Sequence, residues 1–202
     1  MVLTPIRLTV TALKGLPEGD GNRYELIAGE LHVTTQPNLE HQLVADAVCE
    51  SLRVWNRKYG QGGLAVSAPG VILAEDEAFA PDVVWYSQAG RAAHLRPNGK
   101  FYGPPALAVE VLSRGVKNEQ RDHALKPARY AFWGVREYWL VDRFSRTVVV
   151  HRPAGPAYVV VATLGVEATL TSPLLAGFAC PVCDLFADLP PVTVASEAND
   201  DD

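Results

Sequence analysis

The sequence predicts an α/β (α+β) chain, a mixed β-sheet flanked by helices with a β-hairpin near its start. Three observations carry this. Apolar residues recur at helical spacing from Leu39 to Tyr59. Short runs of strand formers, such as Leu107–Leu112 and Glu137–Asp142, are bounded by Gly and Pro. Helix-like and strand-like segments gather around what reads as one sheet.

In chain order, residues 1–21 read as a lead-in closed by the breaker cluster Pro17-Glu18-Gly19-Asp20-Gly21. Arg23–Ile27 and Glu30–Thr35 form a predicted hairpin joined at Ala28-Gly29. A type I′ turn there needs a positive φ at Ala28, which alanine disfavours, so another turn type is an alternative. Asn38 is a candidate N-cap for the helix over Leu39–Tyr59. In that helix Leu39, Leu43, Val44, Ala47, Val48, Leu52, Trp55 and Tyr59 repeat helically, and His41 falls at the edge of the buried stripe. Gly60-Gln61-Gly62-Gly63 ends it.

Strands follow at Leu64–Ala68, Val71–Leu73 and Asp82–Tyr86, with Glu75-Asp76-Glu77 read as an acidic link. A basic Pro/Gly-containing loop over 87–105 leads to the strand Leu107–Leu112. A second helix is expected over about 119–133, starting near Pro127 or kinked by it. Strands at Glu137–Asp142, Thr147–Arg152 and Tyr158–Leu164 come next, and Pro173–Leu189 closes the domain. The domain is thus expected over 22–189, with an acidic, disordered tail over 190–202.

With 202 residues, 48% apolar and 20% charged, the chain suits one soluble domain with a substantial core. No apolar run approaches the roughly 20 residues that span a bilayer, so no membrane association is expected. Three cysteines make no disulfide framework, and a reducing, cytoplasmic location follows. The net charge of −5 excludes a protein that coats nucleic acid indiscriminately. It is uneven, however. Residues 184–202 hold six carboxylates and no Lys or Arg, whereas residues 91–129 hold eight basic side chains against three carboxylates. The basic segment brackets Glu110 and suits a polyanion held by its phosphates, or is simply a solvated face.

Asp82 in P-D-V-V-W and Glu110 in A-L-A-V-E-V-L-S sit inside strand-like segments. A carboxylate there costs several kcal/mol to desolvate unless it is paired or holds a cation. On neighbouring strands the two would form a divalent-metal site of oxygen ligands; the alternative is two carboxylates solvated at strand ends or paired with arginines. Cys180-Pro181-Val182-Cys183 has no second ligand pair for zinc and reads as small buried cysteines. Trp133, Tyr138 and Trp139 could stack bases, but E-Y-W-L-V-D looks more like sheet core with one exposed aromatic.

The order of several motifs resembles a known family. They are Tyr24-Glu25-Leu26-Ile27-x-Gly29-Glu30-Leu31, His41 opening a helix, Pro81-Asp82-Val83-Val84 and Val109-Glu110-Val111-Leu112-Ser113. Then come Arg121-Asp122-x-x-x-Lys126-x-x-x-Tyr130, Gly134 to Asp142, and Thr171-Ser172-Pro173-Leu174-Leu175-x-Gly177-Phe178. This set, over about 22–189, is similar to the Uma-two family of bacterial endonucleases in the PD-(D/E)XK restriction-endonuclease-like superfamily.

The resemblance implies a restriction-endonuclease-like sheet and a Mg²⁺-dependent nuclease centre, with Mn²⁺ able to substitute. Asp82 and Glu110 would be the metal ligands, with the Val111 carbonyl as a third oxygen. The superfamily's usual lysine position, two after the glutamate, is Leu112 here. Lys126 is the first candidate to replace it and Lys117 the second. Glu25 would bind metal or pair with Arg23 or another base. His41 would contact a phosphate, orient a carboxylate, or only cap and pack. Asp122 and Tyr130 would orient Lys126 or merely pack and pair along the helix, and Ser113 would meet a phosphate or cap its strand.

The implied partner is nucleic acid, DNA by preference, and a homodimer would let two active sites cut both strands. Two other classes compete: a catalytically silent nuclease-like domain that binds DNA or a protein, and a carboxylate-pair glycosidase, which the basic segment fits poorly. Dependence on Mg²⁺ and loss with EDTA discriminates the first reading from both; salt-sensitive DNA binding without cleavage marks the silent domain.

Overall fold

The computed structural model describes residues 7–17, 20–59, 62–113, 115 and 124–190. In chain order its elements are α1 (Val10–Leu13), β1 (Asn22–Ile27), β2 (Glu30–Thr35), α2 (Leu39–Tyr59), β3 (Leu64–Ser67), β4 (Val71–Ala74), β5 (Glu77–Phe79) and β6 (Val83–Tyr86). They continue with α3 (Gln88–His94), β7 (Phe101–Tyr102), β8 (Leu107–Val111), α4 (Lys126–Phe132), β9 (Glu137–Asp142) and β10 (Thr147–Ala154). Last come β11 (Ala157–Leu164), β12 (Thr169–Thr171), β13 (Ala179–Pro181) and a 3₁₀ turn, Val182–Phe186.

The central sheet runs β11-β10-β9-β8-β6-β3. It is mixed, because β8 pairs parallel with β9 and antiparallel with β6. Strand alternation divides its side chains between two faces. Val83, Trp85, Val109, Val111, Trp139 and Val141 face α2 and pack with its Val44, Val48, Leu52 and Trp55. Ala108, Leu112, Tyr138 and Leu140 face the other way, into a cluster with Phe79 and Tyr130. Helix α2 therefore lies across one face, while α4 and the second sheet, β2-β1-β5-β4-β7, cover the other. Leu39 and Tyr59, read as part of the apolar stripe, are 73% and 44% exposed. They stand at the two ends of the helix, beyond the sheet it covers. Asn38 caps α2 as expected, its Oδ1 accepting the His41 amide at 3.1 Å.

The β1–β2 turn has φ of 50° at Ala28 and 79° at Gly29, both left-handed. The demanding turn is the one adopted, at a cost of about 1 kcal/mol for alanine. Neighbours hold it in place: the Gly29 amide donates to the Asp76 carbonyl at 2.8 Å, and the Leu8 amide donates to the Gly29 carbonyl at 2.9 Å.

Several expectations need correction. Glu77 is no link residue but the start of β5, fully buried; Arg129 of α4 donates to its Oε1 at 2.6 Å through Nε. The 87–105 loop contains α3, whose Ser87 hydroxyl caps the helix by accepting the Gly90 amide. Helix α4 begins at Lys126 with Pro127 in its first turn, where a missing N–H costs nothing. Tyr138 and Trp139 are both fully buried, so neither is the exposed aromatic. Of the C-x-x-C pair, Cys180 is buried but Cys183 is exposed. Among the described residues no helix is long and apolar enough to cross a membrane. The expected tail, from residue 191 on, together with Lys117 and Asp122, lies outside the described residues.

Candidate active site

Strand register brings the two carboxylates together. Val83 stands opposite Val109, and the next step along each strand carries Asp82 and Glu110 on the face away from α2. Asp82 sits where the ladder ends. Its Oδ2 accepts the Val111 amide at 2.8 Å, replacing a backbone partner, which explains how a carboxylate survives at 5% exposure. His41, in the first turn of α2, directs Nε2 to the same Oδ2 at 3.2 Å and to the Val111 carbonyl at 3.0 Å. Both are acceptors, so Nε2 carries the proton. Its Nδ1 is buried without a hydrogen-bond partner among the described residues. Arg23 of β1 completes the set, with Nη1 2.8 Å from Asp82 Oδ1 and Nη2 donating to the Ala80 carbonyl.

Glu110 meets a second group of partners. Lys126 Nζ lies 3.0 Å from Glu110 Oε1 and 3.1 Å from Glu25 Oε1. The Tyr130 hydroxyl, one helical turn along α4, donates to Glu110 Oε1 at 2.8 Å. Glu25 Oε1 also accepts the Ala80 amide at 2.9 Å. Lys126, Glu25 and Glu110 are each 2–3% exposed, so this ammonium is a buried counter-ion for two carboxylates. The sequence paired Glu25 with Arg23 as one alternative; the structure gives Glu25 the lysine and Arg23 the aspartate.

The electrostatics follow. Burial alone would raise the Asp82 carboxyl, but the His41 hydrogen bond and the charges of His41, Arg23 and Lys126 outweigh it and hold it well below the usual range. Burial would likewise lower the Arg23 guanidinium, yet Asp82, Glu110 and Glu25 keep it above its ordinary value. Burial, then the Glu110 and Glu25 charges, push the Tyr130 phenol well up, so it acts only as a donor.

These side chains line a cleft of about 440 Å³ whose wall runs along β2 and residues 36–38. All five predicted catalytic side chains, Asp82, Glu110, Lys126, Glu25 and His41, open onto it, as do Val111 and Ser113. Arg91, Arg96 and Lys100 do not. They follow β6 and precede β8, which places them at the opposite end of both strands from Asp82 and Glu110. The basic neighbourhood expected around Glu110 therefore owes nothing to those three residues. Arg143 is a cleft residue the sequence does not single out, and Arg23 is one it names only as a possible partner of Glu25. Arg143 pairs with Glu40. Arg23 stands two residues before Glu25, a spacing that puts both on one face of a strand, and that signal was available.

Among the described residues no three His, Cys, Asp or Glu side chains form a ready-made metal cage. The donor set is still of the kind Mg²⁺ takes. Magnesium binds one or two carboxylates and completes its shell with water and substrate oxygens, and Asp82, Glu110 and the Val111 carbonyl are all hard oxygen donors. The carbonyl keeps a second lone pair beside its bond from His41.

A family model described as "Putative restriction endonuclease", Uma2, matches residues 10–183. The chain belongs to the Uma2 family. Among solved structures, a protein of Anabaena variabilis described as "a putative nuclease belonging to DUF820" is similar to this Uma2 chain. The TM-score is 0.71 at 20% identity, over 89% of this chain and 98% of that one. At that identity the likeness is one of fold, a restriction-endonuclease-like mixed sheet flanked by helices. No curated protein matches the chain.

Proposed function

We propose that this chain is a metal-dependent DNA endonuclease that hydrolyses phosphodiester bonds in the Asp82–Glu110 cleft. The Uma2 family description and the nuclease named in the fold comparison support the broader reading. The observation that carries the finer one is the convergence of two strand carboxylates with a buried lysine, in the absence of a lysine at position 112. Leu112 is core, packed near Tyr130 and Tyr138, and Lys126 reaches Glu110 from α4 instead.

In this reading Asp82 and Glu110 hold Mg²⁺ with the Val111 carbonyl, and Mn²⁺ can replace it. Such an ion offsets phosphate charge and lowers the pKa of its water. The chain's own groups do the rest. Lys126 holds a fixed positive charge where the phosphoryl oxygens become more negative, and turns one N–H toward the attacking water. Glu25 and Tyr130 fix that ammonium and the Glu110 carboxylate, so neither must reorganise during the reaction. His41 and the Val111 amide fix Asp82. In-line attack leaves a 5′-phosphate and a 3′-hydroxyl. A homodimer, placing one cleft on each strand of a duplex, belongs to the same proposal, and sedimentation of the purified protein tests it.

The deciding experiment is cleavage of supercoiled plasmid and of single-stranded DNA with Mg²⁺ or Mn²⁺. Wild type cuts and EDTA stops it. Asp82→Ala reduces cutting to background, and Lys126→Ala lowers the rate about 100-fold or more, the scale for removing one preorganised transition-state donor. Full activity in Asp82→Ala, or a folded wild type that binds DNA without cutting it, would overturn the proposal.

A further inference from the structure

The three basic side chains around the carboxylates are not equivalent. The Lys126 and His41 side chains are 3% and 5% exposed, whereas Arg23 is 21% exposed. Arg23 also stands at a junction. A second cleft of about 270 Å³ shares Arg23, Gln36, Pro37 and Asp82 with the first, and continues past Tyr24, Gln42 and Ala45. The two clefts make one track, crossed at its middle by the Arg23–Asp82 pair. Among the described residues that line the track, Arg23 is the most exposed cation, ahead of Arg143 at 9% and Lys126 at 3%, and its planar fork suits two phosphate oxygens as well as two protein ones.

Asp82 has donors on both oxygens while Arg23 holds it. Oδ2 carries the Val111 amide and His41, and Oδ1 carries Arg23. A cation at Oδ1 would share that oxygen with the positive guanidinium, and the like charges so close together oppose its binding in a buried site. The backbone amide cannot leave without breaking the strand end, and His41 is buried. Arg23 is the partner able to move.

We infer that Arg23 is the substrate-sensing arm of the site: it exchanges Asp82 for a nucleic-acid backbone phosphate in the track, and so opens Asp82 Oδ1 to the divalent cation only when substrate is present. The inference rests on the proposed metal centre and adds a coupling to it. Binding of phosphate and of metal become mutually favourable, because each removes a competitor of the other. Free protein binds metal weakly.

Two binding measurements without turnover test this. Mn²⁺ affinity is measured by calorimetry in the absence of nucleic acid, and affinity for a short fluorescent oligothymidylate by anisotropy in EDTA, for wild type, Arg23→Gln, Arg23→Lys and Asp82→Asn. Arg23→Gln is expected to bind Mn²⁺ about tenfold more tightly than wild type. It should bind the oligothymidylate several-fold more weakly, with a log–log salt slope shallower by about 0.7, the share of one phosphate contact. Arg23→Lys keeps the charge and is the gentler change; it should hold Mn²⁺ affinity near wild type while weakening oligothymidylate binding at an unchanged slope. Mn²⁺ affinity unchanged or lower in Arg23→Gln overturns the exchange. So does oligothymidylate affinity that neither arginine variant alters. If Arg23→Gln fails to fold, a wild-type oligothymidylate affinity in Arg23→Lys overturns the inference alone. Wild-type Mn²⁺ binding in Asp82→Asn removes the metal centre itself, a separate failure.

Discussion

At the scale of single residues, the site shows how one buried ammonium can serve two carboxylates on different elements. Lys126 joins Glu25 of β1 to Glu110 of β8, and Tyr130 fixes the same Glu110 oxygen from the next turn of α4. Asp82 makes a measurable counterpart. Its carboxyl is held below the ordinary value, so the ionised form stabilises the fold fully above the unfolded pKa of about 3.9, and that contribution is lost as pH falls from there through the lowered folded value. Urea unfolding at stepped pH should therefore show a constant stability gap between wild type and Asp82→Asn from neutral pH down to about 5, closing below about 4. A gap that closed around pH 6 would mean another group carries the effect. Asp82 and Glu110 were legible as carboxylates in strand-like runs. Arg23 was not recognised as Asp82's partner, because the hairpin's placement over β6 is a long-range fact that local sequence does not encode.

At the scale of elements, periodicity and punctuation exposed the long helix, the hairpin and the strands that carry Asp82 and Glu110. They failed where polarity misled. Glu75-Asp76-Glu77 reads as solvent, yet Glu77 is wholly buried and paired with Arg129, 52 residues further on. That pair fastens α4 to β5, three residues from Lys126. It is a clamp on the site as well as on the fold. Arg129→Ala leaves a buried carboxylate without its counter-ion and should cost about 3 kcal/mol, read as a lower urea midpoint at unchanged m-value. Because α4 also carries Lys126, the same variant should lose cleavage beyond what its unfolded fraction explains. A stability loss under about 1 kcal/mol would show that Glu77 finds another donor.

At the scale of the whole molecule, the central sheet has two unlike ends. One collects Arg23, His41, Asp82, Glu110 and Lys126 in the cleft; the other carries the exposed Arg91, Arg96 and Lys100. Summing charge along 91–129 merged the two, since sequence distance says nothing about which end of a strand a loop leaves. The far cations should not influence turnover of a short substrate. Arg91→Ala, Arg96→Ala and Lys100→Ala combined should leave kcat/KM for an oligonucleotide within about twofold of wild type, because the Debye length is only about 8 Å at physiological salt. A tenfold loss would mean that the substrate reaches around the sheet.

Lys126 and Glu25 touch, but the chain makes them about a hundred residues apart. A ribosome adding roughly 5–20 residues per second needs on the order of ten seconds to pass from one to the other. By the end of that interval β1, α2, β6 and β8 have all been made, while the ammonium that joins Glu25 to Glu110 has yet to be synthesised. A chain grown just past Glu110 therefore holds Glu25, Asp82 and Glu110 without the lysine that bridges two of them, so the carboxylates of the cleft are made before their buried counter-ion.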